Sequence, residues 1–481
     1  MKKFDVAIIG GGVVGGLIAR ELARYKLNIC ILEAQGDVAM GATKANSGIV
    51  HAGFDAKVGS LKAKFNVLGS KMMEKVTNEL GVKYKNNGSL VVGFDEADRE
   101  SILELVERGR ENGVEGVRYV EADELRALEP NISQNAICAL YAPTGAIVCP
   151  YELCIAAIGN AMDNGASLML DYKVNKIERA DGGFVICSDD DSVFAKFVVN
   201  AAGLFSDKIA KMVGDDSFEV GARKGDYILL DRECGDLVKH TVFRVPSKMG
   251  KGILVSPTVD GNLLLGPTSV NVDDKSDKST WADGIEKIIA TASDNLKISV
   301  PFGKSITGFC GIRAYSSTGD FVIRPACEGF INVAGIESPG LTASPAIAQY
   351  VVELLGKEGL ALDKKDDFNP IREPKHAFRE GSIEEKNEYI NRDASYGRIV
   401  CRCESISEGE ILDAIRSNPR ARDIDGVKRR TRAGMGRCQG GFCAPYVMEL
   451  IAKENGLDFA SVTKTGGESF VVFGKTKGES L

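Results

Sequence analysis

The chain has 481 residues, 44% of them hydrophobic and 26% charged, with a formal net charge of −7. That length holds two or three domains with cores of their own, and the well-mixed, slightly acidic charge argues against nucleic acid as a main partner, which is met by a basic face. No apolar run reaches the ~18 residues of a membrane-spanning helix, and of the twelve cysteines those scattered singly in segments such as NICIL and FVICS read as buried thiols of a reducing cytoplasm rather than disulfides.

The first strand signal, FDVAIIG, is followed by a helical VVGGLIARELARY and a second buried strand, LNICILEA, which makes a βαβ unit. Two lysines before an apolar run are shaped like a signal peptide, but the glycines follow another pattern. Gly10, Gly12 and Gly15 have G-x-G-x-x-G spacing, and glycines at a strand-to-helix turn let backbone approach a pyrophosphate at the helix N-terminus. Val14 lies in that turn. Glu33, with Ala34 after it, ends the second strand at the spacing of a carboxylate that binds ribose hydroxyls. A dinucleotide site is expected here. The stretch GATKANSGIVHAGF at 41–54 then packs Thr43, Asn46, Ser47, Gly48 and His51 between glycines. It is too polar for a core strand and lets backbone approach a flat ring, which favours FAD over NAD.

Strand and helix signals alternate to about residue 200, ending in the strand FVVNAAG. Short strands of alternating polarity dominate about 220–269, as in DYILLD and GNLLLGP, and predict an antiparallel sheet. GFINVAGIESPGLTASPAIAQYVVELL returns to strand, loop and helix. Ser344 and Pro345 read as its helix start, a cap followed by proline at the first helical position. Residues 362–397 are rich in charge, Asn and Pro and read as a linker that partly wraps the body. Residues 398–460 form a separate small domain, 461–481 are a C-terminal tail, and its last residues, KTKGESL, read as frayed.

Together the segments at 41–54, 198–207 and 335–348 resemble the D-amino-acid oxidase-like flavoprotein family, over roughly residues 1–360. The resemblance implies an α/β fold: a Rossmann-like FAD-binding domain (about 1–85, 146–220 and 308–361) with an inserted antiparallel-sheet substrate domain (about 86–145 and 221–307). It also implies that Thr43 and Ser47, with Asn46 and Gly48 beside them, contact the ribityl chain and flavin. Val174 would meet the adenine through its backbone, and Ala202 and Gly203 would line the cofactor. Gly340, Leu341 and Thr342 would bring amides to the flavin pyrimidine edge, where a helix start favours the anionic reduced ring. A simple helix cap is the alternative for these three.

The segment NSGIVHAGFDAKVGSLKAK is similar to the L-2-hydroxyglutarate oxidase branch, and GKGILVSPTVDGNLLLGPTS to the anaerobic glycerol-3-phosphate dehydrogenase branch. Both oxidise a secondary alcohol that carries an anionic group. Such a substrate needs a cation, and Arg313 in CGIRAY is the first candidate because arginine offers a bidentate fork. Arg324 in FVIRPA and Lys251 follow. For the base, His51 is preferred over His240 and the linker's His376. Tyr227 stands where the family places a substrate-facing polar residue. Residues 95–138 match the family poorly, and a substrate lid is expected there.

The remaining cysteines are clustered. Cys401 and Cys403 form C-x-C, and Cys438 and Cys443 form C-x4-C. Zinc sites more often use C-x-x-C pairs. The words CRCESISEGEI and AGMGRCQGGFC resemble the bacterioferritin-associated-ferredoxin-like domain, which holds a [2Fe-2S] cluster on four thiolates; zinc or free thiols are the alternatives. The basic VKRRTR between the pairs reads as a solvated turn, or one that stabilises the cluster or docks a redox partner.

The leading reading is thus an FAD- and [2Fe-2S]-containing dehydrogenase of sn-glycerol 3-phosphate. Its electrons would leave through the cluster to a partner flavoprotein, another protein or a quinone. A cytoplasmic location fits, with contact at the inner membrane face and oligomerisation both open. The competing readings are an L-2-hydroxyglutarate or related 2-hydroxy-acid dehydrogenase and a non-catalytic electron-transfer or redox-sensing subunit.

Overall fold

The first strand, Lys2–Ile9, is buried from Val6 to Ile9 without alternation, the pattern of a strand covered on both faces. It pairs in parallel with Ile29–Leu32 on one side and Ser192–Asn200 on the other. Ser167–Met169 and Phe330–Ala334 extend this parallel core, and Lys176–Ala180 and Gly183–Cys187 close one edge antiparallel. The helices Val13–Leu22, Leu61–Glu79, Pro150–Asp163 and Gly340–Lys357 pack on one another against it. The computed structural model describes residues 1–246, 252–373, 378–474 and 476–477, so Lys251 and His376 lie outside the described residues.

A second sheet forms around the long strand Val220–Leu230, which pairs antiparallel with Ser305–Ser316 along nearly its whole length. Leu263–Gly266 and Val270–Val272 also pair with it, and the sheet continues through Leu254–Pro257, Thr241–Arg244, Ser89–Gly93, Cys138–Ala142 and Arg118–Glu121. The two-sheet body has the α/β character expected, but Ser305–Ser316, assigned from sequence largely to the FAD-binding part, belongs to the second sheet, and that sheet is mixed, since Thr241–Arg244 pairs Ser89–Gly93 in parallel. Residues 398–460 fold into the short hairpin Ile399–Cys401 and Ile406–Ser407, then the helices Glu408–Arg416, Ile424–Thr431 and Ala444–Asn455, around Ile411, Ile415, Val427 and Ile451. Ser407 and Glu410 close a capping box on the first of these helices. Among the described residues no helix is long and apolar enough to cross a membrane.

Three local expectations are corrected. The late helix starts at Gly340, with Pro345 inside it. Pro345 has no N–H for the Leu341 carbonyl, and the Ser344 hydroxyl donates to that carbonyl at 2.7 Å instead, so the helix continues where a proline would otherwise break it. The 362–397 stretch carries its own capped helix, Ile383–Arg392, and its earlier part is laced to the body, with Lys365 N–H donating to the Arg24 carbonyl at 2.8 Å. The tail is held as far as Phe470: Lys464 pairs with Asp425 at 2.9 Å, and Thr463 bridges Phe470.

The largest departure is the basic segment. Arg429, Arg430 and Arg432 are 5%, 3% and 8% exposed, which is buried, not solvated. Arg430 forms a bidentate pair with Asp37, both contacts at 2.8 Å, and Arg429 adds a third at 2.5 Å. Burial pushes the Asp37 carboxyl up, but the two guanidiniums outweigh it and hold it at about 2. Arg432 reaches Asp260 at 2.6 Å, Asn262 at 3.0 Å and Glu404 at 3.0 Å. The small domain is thereby bolted to both sheets. Breaking one member of such a network leaves buried charge unpaired, at a cost of about 3–5 kcal/mol. Arg432→Met is expected to lower the apparent unfolding free energy by about that amount in denaturant titration. Arg437→Ala, whose contacts to Asp231 and Glu233 sit at the surface, is expected to change it by under about 1 kcal/mol.

Candidate active site and cluster site

A cavity of about 1820 Å³ is lined from both sheets. Pockets for one small ligand run to about 300–1,000 Å³, so there is room for a cofactor and a substrate together. Its first end is the βαβ turn. Gly10, Gly12 and Val14 line it, and the helix Val13–Leu22 directs its positive N-terminal end there. Glu33 accepts from the Gly11 and Gln35 amides at 2.7 and 2.9 Å. Burial raises its pKa against those two donors. Ala34, Val174, Ala202 and Gly203 line the same end.

Other predicted cofactor residues shape the wall. Gly15 is absent from the lining; a Cβ there would collide with the Gly10 carbonyl, so its role is close packing of the turn. Gly48 has φ +66° and a Cβ would stand 2.6 Å from the Val148 carbonyl. It is likewise behind the wall. Thr342 is fully buried; its hydroxyl accepts from the His51 amide at 2.8 Å and donates to the Ile49 carbonyl at 3.3 Å. These three are corrected to positions that support the site. Thr43 lines the cavity and its hydroxyl accepts from Val13 N–H at 3.1 Å. Asn46 lines it too, while its amide donates to the Ala42 and Thr43 carbonyls and its Oδ1 accepts from Gly48 N–H. Ser47, Gly340 and Leu341 complete this part of the lining.

Beyond it stand His51, Tyr227 and Arg313. His51 Nε2 lies 3.4 Å from Ser338 Oγ, and its ring tilts against Phe243 at 5.9 Å between centroids. Tyr227 is 4% exposed and stacks on Phe309 at 4.8 Å. Burial pushes its hydroxyl up to about 12, with Arg313 and Ser47 acting the other way. Arg313 donates to the Thr268 carbonyl at 3.0 Å. It is directly opposite Arg223 in the strand pairing, and Arg223 also lines the cavity.

Arg324 does not join them. It pairs with Asp215 at 3.0 Å and contacts Ser217, on the sheet's outer connections, and is absent from the lining. His240 is also elsewhere, against Glu129 at 3.2 Å. Nor does any residue of 95–138 line the cavity; the helices Glu96–Glu111 and Ala122–Leu128 pack on strands of the second sheet. The cover comes instead from Arg244–Val245, 252–254 and 275–278. Sequence reading missed the cations Arg223, Arg244, Lys275 and Lys278. Arg223 had a signal, because RKGDY places it two residues from Gly225 and four from Tyr227, all on one strand face. Arg244 ends the strand Thr241–Arg244, and Lys275 and Lys278 come from a loop with no pattern.

The four clustered cysteines meet in two pairs. Cys403 and Cys438 have sulfurs 3.6 Å apart, and Cys401 and Cys443 are hydrogen-bonded to each other. Two thiolates on one tetrahedral metal at about 2.3 Å lie about 3.8 Å apart, so the pairs suit two metal ions side by side. The Gly434 and Glu404 amides point at Cys401 sulfur, and those of Phe442, Gly440 and Gly441 at Cys438. Cys443 also begins the helix Ala444–Asn455. Amide donors and a helix N-terminus are what a negatively charged sulfur cluster requires.

Comparison with known proteins agrees with both sites. The FAD dependent oxidoreductase family matches residues 5–354, and the BFD-like [2Fe-2S] binding domain matches residues 399–453. A glycerol 3-phosphate dehydrogenase of Caloramator mitchellensis is 46% identical over 478 residues, 99% of each chain. An L-2-hydroxyglutarate dehydrogenase of Pongo abelii is 28% identical over 73% of this chain and 87% of its own. The structure of L-alpha-glycerophosphate oxidase from Mycoplasma pneumoniae with FAD bound has a TM-score of 0.73 at 31% identity, and 78% of this chain covers 99% of it. The cofactors of this protein are FAD and a [2Fe-2S] cluster. The chain belongs to the FAD dependent oxidoreductase family and carries a BFD-like [2Fe-2S] binding domain behind its two-sheet body.

Proposed function

We propose that the protein oxidises sn-glycerol 3-phosphate to dihydroxyacetone phosphate and sends the electrons through its cluster to a protein or quinone acceptor. The observation that carries this is Arg313 in the cavity wall beside Tyr227, with Arg223 opposite it on the neighbouring strand. Two guanidiniums on one wall fit a phosphate dianion better than a lone carboxylate. The full-length likeness to a dehydrogenase, rather than only to an oxidase that lacks about a fifth of this chain, supports the second half. FAD, when bound, takes the hydride of the carbinol carbon, and the cluster accepts electrons one at a time.

This chain's residues do the rest. Arg313 and Arg223 fix the phosphate and so set which hydrogen faces the cofactor. His51 Nε2 receives the hydroxyl proton as the carbonyl forms. Tyr227 and Ser47 orient the alcohol oxygen. Phe243, Ile253 and Leu254 line the cavity and exclude water from the reacting carbon. Asn46, Thr43 and the 340–341 backbone hold the cofactor in place. A reducing compartment such as the cytoplasm suits a chain whose eight cysteines outside the cluster site form no disulfide.

In protein purified without oxygen, glycerol 3-phosphate is expected to bleach the flavin band, with cluster reduction following by electron paramagnetic resonance. Bleaching by L-2-hydroxyglutarate alone would move the substrate to the 2-hydroxy-acid class, and bleaching by neither would leave an electron-transfer subunit. Arg313→Ala is expected to lower kcat/KM about 100-fold, mainly through KM, with Arg313→Lys partly restored. His51→Gln is expected to lower the rate constant of flavin bleaching by about 10²–10⁴, with KM little changed and the flavin still bound.

A further inference from the structure

The heaviest concentration of buried charge outside the cavity lies where the cluster domain meets the loop after Glu33. Glu33, Ala34 and Gln35 of that loop line the cavity. The loop is stitched to the glycine turn at both ends: Glu33 accepts from the Gly11 amide at 2.7 Å, and the Ala39 amide donates to the Gly11 carbonyl at 2.9 Å. Ala39 closes it with φ +64°, a left-handed conformation that is strained for a non-glycine residue. Between these stitches Asp37, 2% exposed, faces away from the cavity wall into the cluster domain. Its own loop gives it the Val38 amide at 2.8 Å, and its charged partners, the bidentate Arg430 and the Arg429 contact, come from the cluster domain.

Those arginines sit on the helix Ile424–Thr431. Its start is capped by Asp423, which accepts from Gly426 N–H at 2.6 Å. Its end runs through Arg432, bonded to Glu404 beside Cys403, to Gly434, whose amide points at Cys401. One short helix thus has the FAD loop on its side and both cluster-ligand segments at its end.

We propose that Arg429 and Arg430 are positioning residues for FAD, and that cluster occupancy and FAD affinity are positively coupled through Asp37. The four thiolates tie 401–403 to 438–443 when metal is bound. With that tie in place the helix is fixed and Asp37 keeps its partners. Without it the helix loosens, Asp37 becomes a buried carboxylate short of countercharge, and the 33–39 loop that presents Glu33 to the cofactor opens. Linkage makes the effect reciprocal, so FAD must slow loss of the cluster. The inference does not depend on which alcohol is oxidised.

The test uses full-length protein made without oxygen, with the cluster removed by an iron chelator and FAD affinity read from flavin fluorescence. Removal of the cluster is expected to weaken FAD binding about tenfold. Arg430→Met, with its cluster confirmed by electron paramagnetic resonance, is expected to weaken FAD binding to a similar extent, and stripping its cluster to add less than about twofold, because both act through one carboxylate. Should Arg430→Met fail to keep a cluster, Arg429→Met takes its place with a smaller loss expected. Arg437→Ala, whose side-chain hydrogen bonds among the described residues go to Asp231 and Glu233, is the control and is expected to bind FAD normally. Unchanged FAD affinity in cluster-free wild type, or two full and additive losses, would overturn the proposal.

Discussion

Three buried arginines within four residues decide how this molecule is put together. Arg429 and Arg430 meet Asp37 of the first sheet's loop, and Arg432 meets Asp260 and Asn262 of the second sheet. A guanidinium out of water is tolerable only when its donors are matched by carboxylates in good geometry, and here nearly every partner lies on a different part of the chain. In the observed docking each of these guanidiniums meets a carboxylate. Arg379 adds to it by pairing with Glu404 at 2.8 Å and lying 3.9 Å from Asp260.

That docking gives the redox arrangement its order. Tyr151, at the start of the helix Pro150–Asp163, reaches Met435 in the cluster loop at 3.6 Å. The preceding Val148 and Pro150 pack on Gly48 of the flavin-side loop. The body and the cluster domain are therefore in continuous packed contact behind the cavity. His51, Tyr227 and Arg313 line that cavity, and Cys403 of the cluster site is exposed at the surface.

How much was legible follows from how local each signal is. The βαβ unit, its glycines and Glu33 stood out because a pyrophosphate-binding turn is written within about thirty residues. The four cysteines stood out because a thiolate cluster uses short, fixed spacings. His51, Tyr227 and Arg313 were found by resemblance, and the cavity lines all three. Gly15, Gly48 and Thr342 were read as cofactor contacts because they sit inside a contact motif, yet they act by letting backbone pass closely or by tying the wall together. Arg324 sits in a strand two residues from Val322, and nothing local says that Asp215 waits for it.

The sequence by itself determined the βαβ unit, the dinucleotide turn and the cysteine pairs, since these rest on periodicity, glycine placement and ligand spacing over short stretches, and its resemblance to known families supplied the [2Fe-2S] cluster and the chemical class of the reaction. Only the tertiary structure decided that VKRRTR is a buried bolt and not a solvated turn. It also decided that the cavity is lined by Arg244–Val245, 252–254, Lys275, Ser276 and Lys278 and not by 95–138, and that Arg223 faces Arg313 across a strand pair. The reason is physical: the fate of a charge depends on its partner, and Asp37 and Arg430 are 393 residues apart in the chain while 2.8 Å apart in space.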